Sequence, residues 1–227
     1  YTTLFRFAEA QAAKPDVLLL ADCFNRYFEP EVARSALRVL QRAGKQVAIA
    51  SAPQQFPLCC GRTYLASGLV DRARSEAKRL IAAVKPALDR GATIVGLEPS
   101  CLLTLRDEYP AMLSGKDVET LASRAMLFEE YLAAERKAGR LDLALKPLPE
   151  KRALLHGHCH QKAFGLVGDV ASTLSMVPEL KVEAIESSCC GMAGSFGYEA
   201  EHYDVSLQMA ELSLLPALRK SGEGDLI

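Results

Sequence analysis

Seven cysteines occupy one spacing used twice, and that repetition limits the architectures open to the chain more than any other feature. Cys23 is followed by 35 residues and then Cys59-Cys60-Gly61, and Cys159 by 29 residues and then Cys189-Cys190-Gly191. In the first half, 39 residues separate Gly61 from one more cysteine, Cys101. No cysteine lies outside this scheme. An odd count in a chain of 227 residues, long enough to build a hydrophobic core unaided, argues against a disulfide scaffold.

The flanking segments repeat as well. Asp16-Val-Leu-Leu-Leu-Ala21 is a buried-strand run that delivers Cys23, and Arg152-Ala-Leu-Leu-His156 delivers Cys159 in the same way. Pro30 to Ala43 has helical spacing, with Pro30 suited to the first turn and Gly44 to the stop. The second half compresses this helix to Val167–Met176. Gln46–Ala50 and Leu180–Ile185 read as the next strands, and the first repeat carries extra residues, Ala52 to Leu58, before its cysteine pair. A long helix is expected after each Cys-Cys-Gly, over Val70–Leu88 and Glu201–Leu218, and Thr93–Leu97 reads as the strand leading to Glu98-Pro-Ser-Cys101. Between the repeats, Leu121, Ala125, Phe128 and Leu132 place a connecting helix over Asp117–Ala138, with Leu145–Glu150 as the linker. The expected fold class is α/β: two pseudo-repeated units with parallel sheets flanked by helices and the cysteine motifs at strand C-terminal ends, where ligands of such sheets gather. The expected domains are residues 1–115, the connection 116–150 and a second repeat over 151–227.

Composition removes other classes. With 27 basic against 28 acidic side chains there is no surplus to neutralise phosphates, and nucleic acid is not expected as a partner. The longest apolar runs, Val17–Ala21 and Val47–Ala50, fall far short of the ~20 residues that cross a bilayer. No transmembrane segment or signal pattern is read, and a cytoplasmic location is expected, with any attachment to the inner membrane made through partners. The chain starts at Tyr1 rather than Met, and only 36 residues follow Gly191. The repeat's own spacing therefore predicts a longer native polypeptide, with a further cysteine within about ten residues of Ile227.

Thiolates bind soft metals. Neighbouring side chains of an extended segment point apart, so the two sulfurs of a Cys-Cys pair converge only in a sharp turn. Gly61 and Gly191 permit that turn. Vicinal sulfurs suit several irons of a cluster better than one tetrahedral ion, whose ligands are usually spaced as Cys-x2–4-Cys. A helix following each pair would favour anionic sulfur. The loop Gly191-Met-Ala-Gly194-Ser-Phe-Gly197 brings backbone close to whatever sits there, but matches neither glycine-rich phosphate-binding pattern.

The pattern Cys, about 30–38 residues, Cys-Cys-Gly, about 35–40 residues, Cys, present twice with the second copy lacking its closing cysteine, resembles the cysteine-rich CCG domain. That domain occurs in the B subunit of heterodisulfide reductase, the iron–sulfur subunit of glycolate oxidase and the C subunit of anaerobic glycerol-3-phosphate dehydrogenase. Gly157-His-Cys-His-Gln-Lys-Ala163 and Ser188-Cys-Cys-Gly-Met-Ala-Gly-Ser-Phe-Gly-Tyr198 most resemble the branch in which this module ends an FAD-linked, iron–sulfur 2-hydroxy-acid dehydrogenase. The resemblance implies an electron-transfer part of an oxidoreductase for a substrate such as D-lactate, glycolate or D-2-hydroxyglutarate. It also implies flavin and ferredoxin-type domains as partners, FAD upstream, and a quinone or other electron acceptor. Cys23, Cys59, Cys60 and Cys101 would serve one 4Fe-4S site, cubane or non-cubane, and Cys159, Cys189 and Cys190 a second. The fullest family pattern closes with Cys-x-x-Cys, whereas Glu98 stands at the earlier position here. Four thiolates rather than five then remain in the first site.

Rival readings accompany these. A zinc-stabilised docking module and a disulfide-reducing subunit are the alternatives to the electron-transfer domain, and no catalytic residue is assigned within this chain. His158 and His160 flank Cys159 and could offer nitrogen ligands or hydrogen bonds to sulfur, as Gly61 and Gly191 support the pairs. Alternation along an extended segment would place both histidines on one face and Cys159 on the other. His156 reads as a strand-end residue and His202 as helix surface. Arg62 and Lys162 could balance thiolate charge or be solvated.

Overall fold

A computed structural model describes residues 12–51, 57–194 and 196–227. The extra segment before Cys59 falls mostly, over 52–56, outside the described residues, as does Ser195. The chain divides into two compact units, Tyr1–Leu143 and Ala144–Ile227.

The first unit runs β1 (Val17–Leu20), α1 (Cys23–Tyr27), α2 (Pro30–Arg42), β2 (Val47–Ile49), α3 (Arg62–Ala66), α4 (Val70–Leu88), β3 (Thr93–Gly96), α5 (Pro99–Thr104), α6 (Glu108–Met112), α7 (Lys116–Arg124), β4 (Ala125–Leu127) and α8 (Phe128–Lys137). The strands form a parallel sheet in the order β2-β1-β3-β4. Val17 and Leu19 of β1, and Ile94 and Val95 of β3, are wholly buried, as an unbroken apolar run requires of strands covered on both faces. In α4, Ala73, Ala77, Leu80, Val84 and Ala87 form the buried stripe. Each buried leucine of this core contributes ~1.5–3 kcal/mol.

The expected connecting helix is broken. Helical spacing continues through Leu121, Ala125 and Phe128, yet Ala125–Leu127 pairs with Ile94–Gly96 as the fourth strand, and α7 and α8 flank it. A three-residue strand fits inside a helical hydrophobic period, and the strand that selects it lies far back in the chain.

The second unit holds β5 (Arg152–Leu155), α9 (Cys159–Ala163), α10 (Val167–Leu174), β6 (Lys181–Ala184), two short 3₁₀ turns (Phe196–Tyr198 and Ala200–His202), α11 (Tyr203–Glu211), α12 (Leu214–Leu218) and β7 (Asp225–Leu226). Its parallel sheet has the order β6-β5-β7. The long helix expected over Glu201–Leu218 starts as a 3₁₀ turn and divides near Leu212 and Ser213, and Leu212 is exposed. Among the described residues no helix is long and apolar enough to cross a membrane.

Candidate metal centre

All seven cysteines are free thiols. In the first unit they arrive from three βα connections. Three residues past Leu20, Cys23 opens α1, whose N-cap is Asp22; both Asp22 oxygens accept hydrogen bonds from Asn25, 3.0 Å from its backbone N and 2.7 Å from Nδ2. Cys101 lies in the first turn of α5, where Glu98 is the N-cap and Oε2 accepts from Cys101 N and Ser100 Oγ, both at 2.6 Å. Cys59 and Cys60 precede Gly61, which adopts φ +81° as it enters α3. That glycine presses against α4: a Cβ there would stand 3.2 Å from the Ala73 carbonyl oxygen.

These connections place the four sulfurs in a row. Cys23 lies within hydrogen-bonding reach of Cys59, Cys59 of Cys60 and Cys60 of Cys101. The Gly61 N–H also donates to Cys59 Sγ, at 3.4 Å. Hydrogen bonds from Cys23 and Cys60 hold the Cys59 thiol down to about 2, helped by the Gly61 N–H and the Arg79 charge. Cys23 and Cys60 are pushed up, chiefly because each donates to a neighbouring sulfur and is buried. At Cys101 the bond to Cys60 pulls downward, but burial and the charges of Glu98 and Asp22 leave the thiol raised. Burial raises the Asp22 carboxyl; at Glu98 burial opposes hydrogen bonds from Ser100 and Cys101, which win and lower it.

The surroundings brace this row. Arg79 of α4 donates to the Pro57 carbonyl at 2.7 Å, fastening the approach to the cysteine pair, and is ion-paired with Glu76. The fully buried Tyr109 hydroxyl donates to the Cys60 carbonyl at 3.0 Å. Tyr109→Phe leaves that buried carbonyl unpartnered and is expected to cost about 1–3 kcal/mol in chemical denaturation; an unchanged midpoint would show that the bond contributes nothing. Arg62 forms an ion pair with Glu108, so its charge is already matched by a carboxylate.

The second unit repeats the core of the arrangement. Cys159, an exposed residue within hydrogen-bonding reach of Cys189, opens α9 behind the N-cap His158; partial desolvation and the neighbouring Cys189 and Cys190 sulfurs raise its thiol. Gly191 adopts φ +89° and donates its N–H to Cys189 Sγ at 3.3 Å, matching Gly61 and Cys59. Gly197 folds the loop back, its N–H donating to the Met192 carbonyl at 2.9 Å, and a Cβ there would meet Ser206 Oγ at 2.9 Å. Gly191 and Gly197 of this loop thus serve its packing against α11.

The histidines differ from the extended-segment expectation because His160 lies in a helix, not a strand. The His158 and His160 rings stack, centroids 5.3 Å apart, and His158 Nδ1 accepts from the His160 N–H at 3.2 Å. With Nδ1 accepting, neutral His158 carries its proton on Nε2, which suits a hydrogen-bond donor better than a metal ligand. His156 Nδ1 lies 2.7 Å from Ser187 Oγ, and burial lowers its imidazole. His202 is half-buried and stacked on Phe196 at 4.0 Å, not a surface residue. Lys162 Nζ donates to the Ser187 and Ser188 carbonyls at 2.6 and 2.9 Å, holding the segment that leads into Cys189.

The donor chemistry fits a thiolate-bound metal group. In the first unit four thiols lie within hydrogen-bonding reach of one another in sequence, and binding would replace their protons by metal–sulfur bonds. Among the described residues no three His, Cys, Asp or Glu side chains are preset around a single ion. The cysteine spacing alone does not point to Asp22, Glu98, Tyr109 or Arg79 as parts of the site. Two of them do carry a sequence signal: Asp22 stands directly before the residue that opens a helix, and Glu98 precedes Pro99 at a helix start.

Residues 17–106 match the CCG family, described as a cysteine-rich domain. Over that span the first unit carries the CCG cysteine-rich pattern. Over nearly its whole length the chain is similar to the C subunit of the anaerobic glycerol-3-phosphate dehydrogenase of Escherichia coli (strain K12), 30% identical over 226 residues, covering 98% of this chain and 55% of that protein. It is 26% identical over 207 residues to the D-2-hydroxyglutarate dehydrogenase of the same strain, covering 90% of this chain and 19% of the relative. To lactate utilization protein A 2 of Bacillus cereus it is 28% identical over 191 residues, 79% of this chain and 73% of the relative. The chain thus spans about half the length of the glycerol-3-phosphate dehydrogenase relative. The CCG similarity therefore joins it to proteins whose names place them in dehydrogenases or in lactate utilization.

Proposed function

We propose that the chain is an electron-transfer part of a flavin-linked dehydrogenase and that its cysteines hold iron–sulfur clusters. The observation carrying this reading is the unbroken row Cys23, Cys59, Cys60, Cys101, gathered from three βα connections with no disulfide. The CCG family and the dehydrogenase relatives support it. The names of those relatives point to glycerol 3-phosphate, D-2-hydroxyglutarate or lactate as the class of substrate, oxidised on partner flavin domains rather than here.

When bound, a cluster supplies one-electron chemistry between flavin and an acceptor such as a quinone. The protein's part is to present and insulate it. Cys59, whose thiol is lowered by hydrogen bonds from its neighbours, is suited to bind iron as the thiolate. The Gly61 N–H points at that sulfur, Tyr109 fixes the backbone of Cys60, and Arg79 holds the loop entering the pair. In the second set the Gly191 N–H points at Cys189 and Lys162 holds the segment that leads to it.

Anaerobic preparation followed by iron, inorganic sulfide and zinc determination tests the reading. Iron and sulfide in equal amounts are expected. Zinc near one per chain with no sulfide would replace this proposal by a zinc-stabilised docking module.

A further inference from the structure

The two cysteine sets share a scaffold but not its electrostatics. Asp22 and His158 occupy the same place, each the N-cap one residue before the cysteine that opens the helix. The residues three positions on, Asn25 and Gln161, both bond back to the cap. In the first unit that cap is a carboxylate, 5% exposed, whose two oxygens both accept hydrogen bonds. A second carboxylate, Glu98, caps the helix bearing Cys101. Both act on Cys101 and Asp22 also acts on Cys23. Of the cations nearby, Arg62 is paired with Glu108 and Arg79 with Glu76; Arg79 still favours anionic Cys59, and the two carboxylates at the caps outnumber it.

The second unit reverses this. Its cap is an imidazole stacked on a second imidazole. The Lys162 ammonium donates to neutral groups, two carbonyls and the Ser187 hydroxyl, which leave its positive charge in place. Three residues on from Cys159, it favours the anionic form of that sulfur, against the opposing desolvation and neighbouring thiols, and the acid nearest in sequence to the pair, Glu186, is exposed.

We propose that Asp22 and Glu98 hold the group bound by Cys23, Cys59, Cys60 and Cys101 at a lower reduction potential than the group bound by Cys159, Cys189 and Cys190, beside Lys162 and His158. Reduction adds one electron to the site, and a fixed buried anion opposes that addition while a cation favours it. The first set is therefore the harder to reduce and the stronger electron donor. This deepens the iron–sulfur reading and rests on it.

The test titrates the anaerobically reconstituted chain with dithionite, which gives one electron per cluster, and follows each site by electron paramagnetic resonance. The Cys189→Ser/Cys190→Ser chain isolates the first signal and the Cys59→Ser/Cys60→Ser chain the second. Asp22→Asn with Glu98→Gln, both of which keep a cap acceptor, should ease first-site reduction by about tenfold in equilibrium constant, 59 mV for a one-electron couple. Glu98→Asp should leave it unmoved. A first-site potential at or above the second, or one indifferent to loss of both charges, overturns the proposal. A metal-free measurement separates it from the cluster reading: alkylation by neutral iodoacetamide against anionic iodoacetate, site by site, by peptide mass spectrometry. The neutral-to-anionic rate ratio should be about tenfold greater at the first set than at the second, and the double variant should abolish the difference. Equal ratios overturn the proposal whether or not iron binds, whereas absent iron and sulfide with unequal ratios would sink only the cluster reading.

Discussion

The Gly191→Ala chain is expected to lose about 3 kcal/mol of stability in its second unit, combining the cost of a left-handed non-glycine residue with that of overpacking. The added Cβ would stand 2.1 Å from the backbone carbonyl oxygen of Ser206 at φ +89°, and a helix backbone cannot rotate aside as a side chain can. For a unit of this size the melting temperature should fall by roughly 10–20 °C. Gly168→Ala provides a control of opposite sign. Gly168 lies in α10, has nothing within 4 Å of a built Cβ and has no positive φ, so alanine should gain about half a kcal/mol. A Gly191→Ala chain that melts with the parent would mean that the Cys189-Cys190 turn does not pack as described. The equivalent change at Gly61, 3.2 Å from the Ala73 carbonyl, should be milder.

Replacing Cys59 and Cys60 together by serine should remove the first set's iron while leaving the unit folded. Those two sulfurs form the middle of the row, so their loss separates Cys23 from Cys101 and leaves no adjacent pair of ligands. Serine is close in size and can keep hydrogen bonds with its neighbours, so the metal-free chain should stay within about 2 kcal/mol of the parent in urea denaturation. Iron and sulfide content should fall by the whole of the first set's share. Retention of full iron with an unaltered spectrum would show that these thiols are not ligands. Collapse of the fold without metal would instead make them core residues.

Much of the scaffold can be read from particular residues. The run Val17–Leu20 and the helix Val70–Leu88 announce themselves, one by continuous apolar residues and the other by a stripe at helical spacing closed by Gly91. The thiol sets are legible because a doubled Cys-Cys-Gly has few other uses. What stays hidden depends on distant partners. Strand Ala125–Leu127 exists because β3 offers it an edge, and nothing in those three residues separates it from the helices on either side. Tyr109 reads as an ordinary aromatic until the fold brings it to a carbonyl 49 positions earlier. The histidines around Cys159 escape for a local reason: an N-cap signal, with Gln161 three residues on, turns the chain into a helix where strand alternation would have parted them from the cysteine.

The strand order β2-β1-β3-β4 also sets a clock. Cys23 leaves the central strand β1 and Cys101 follows its neighbour β3, 78 positions later. The row of sulfurs cannot close until that later strand has been synthesised and paired. At ~5–20 residues per second of translation, Cys23 waits roughly 4–16 s for its last partner. During that interval the nascent chain presents an unfinished thiol set to whatever metals and oxidants surround it, so any loading that needs all four thiols must follow formation of the sheet.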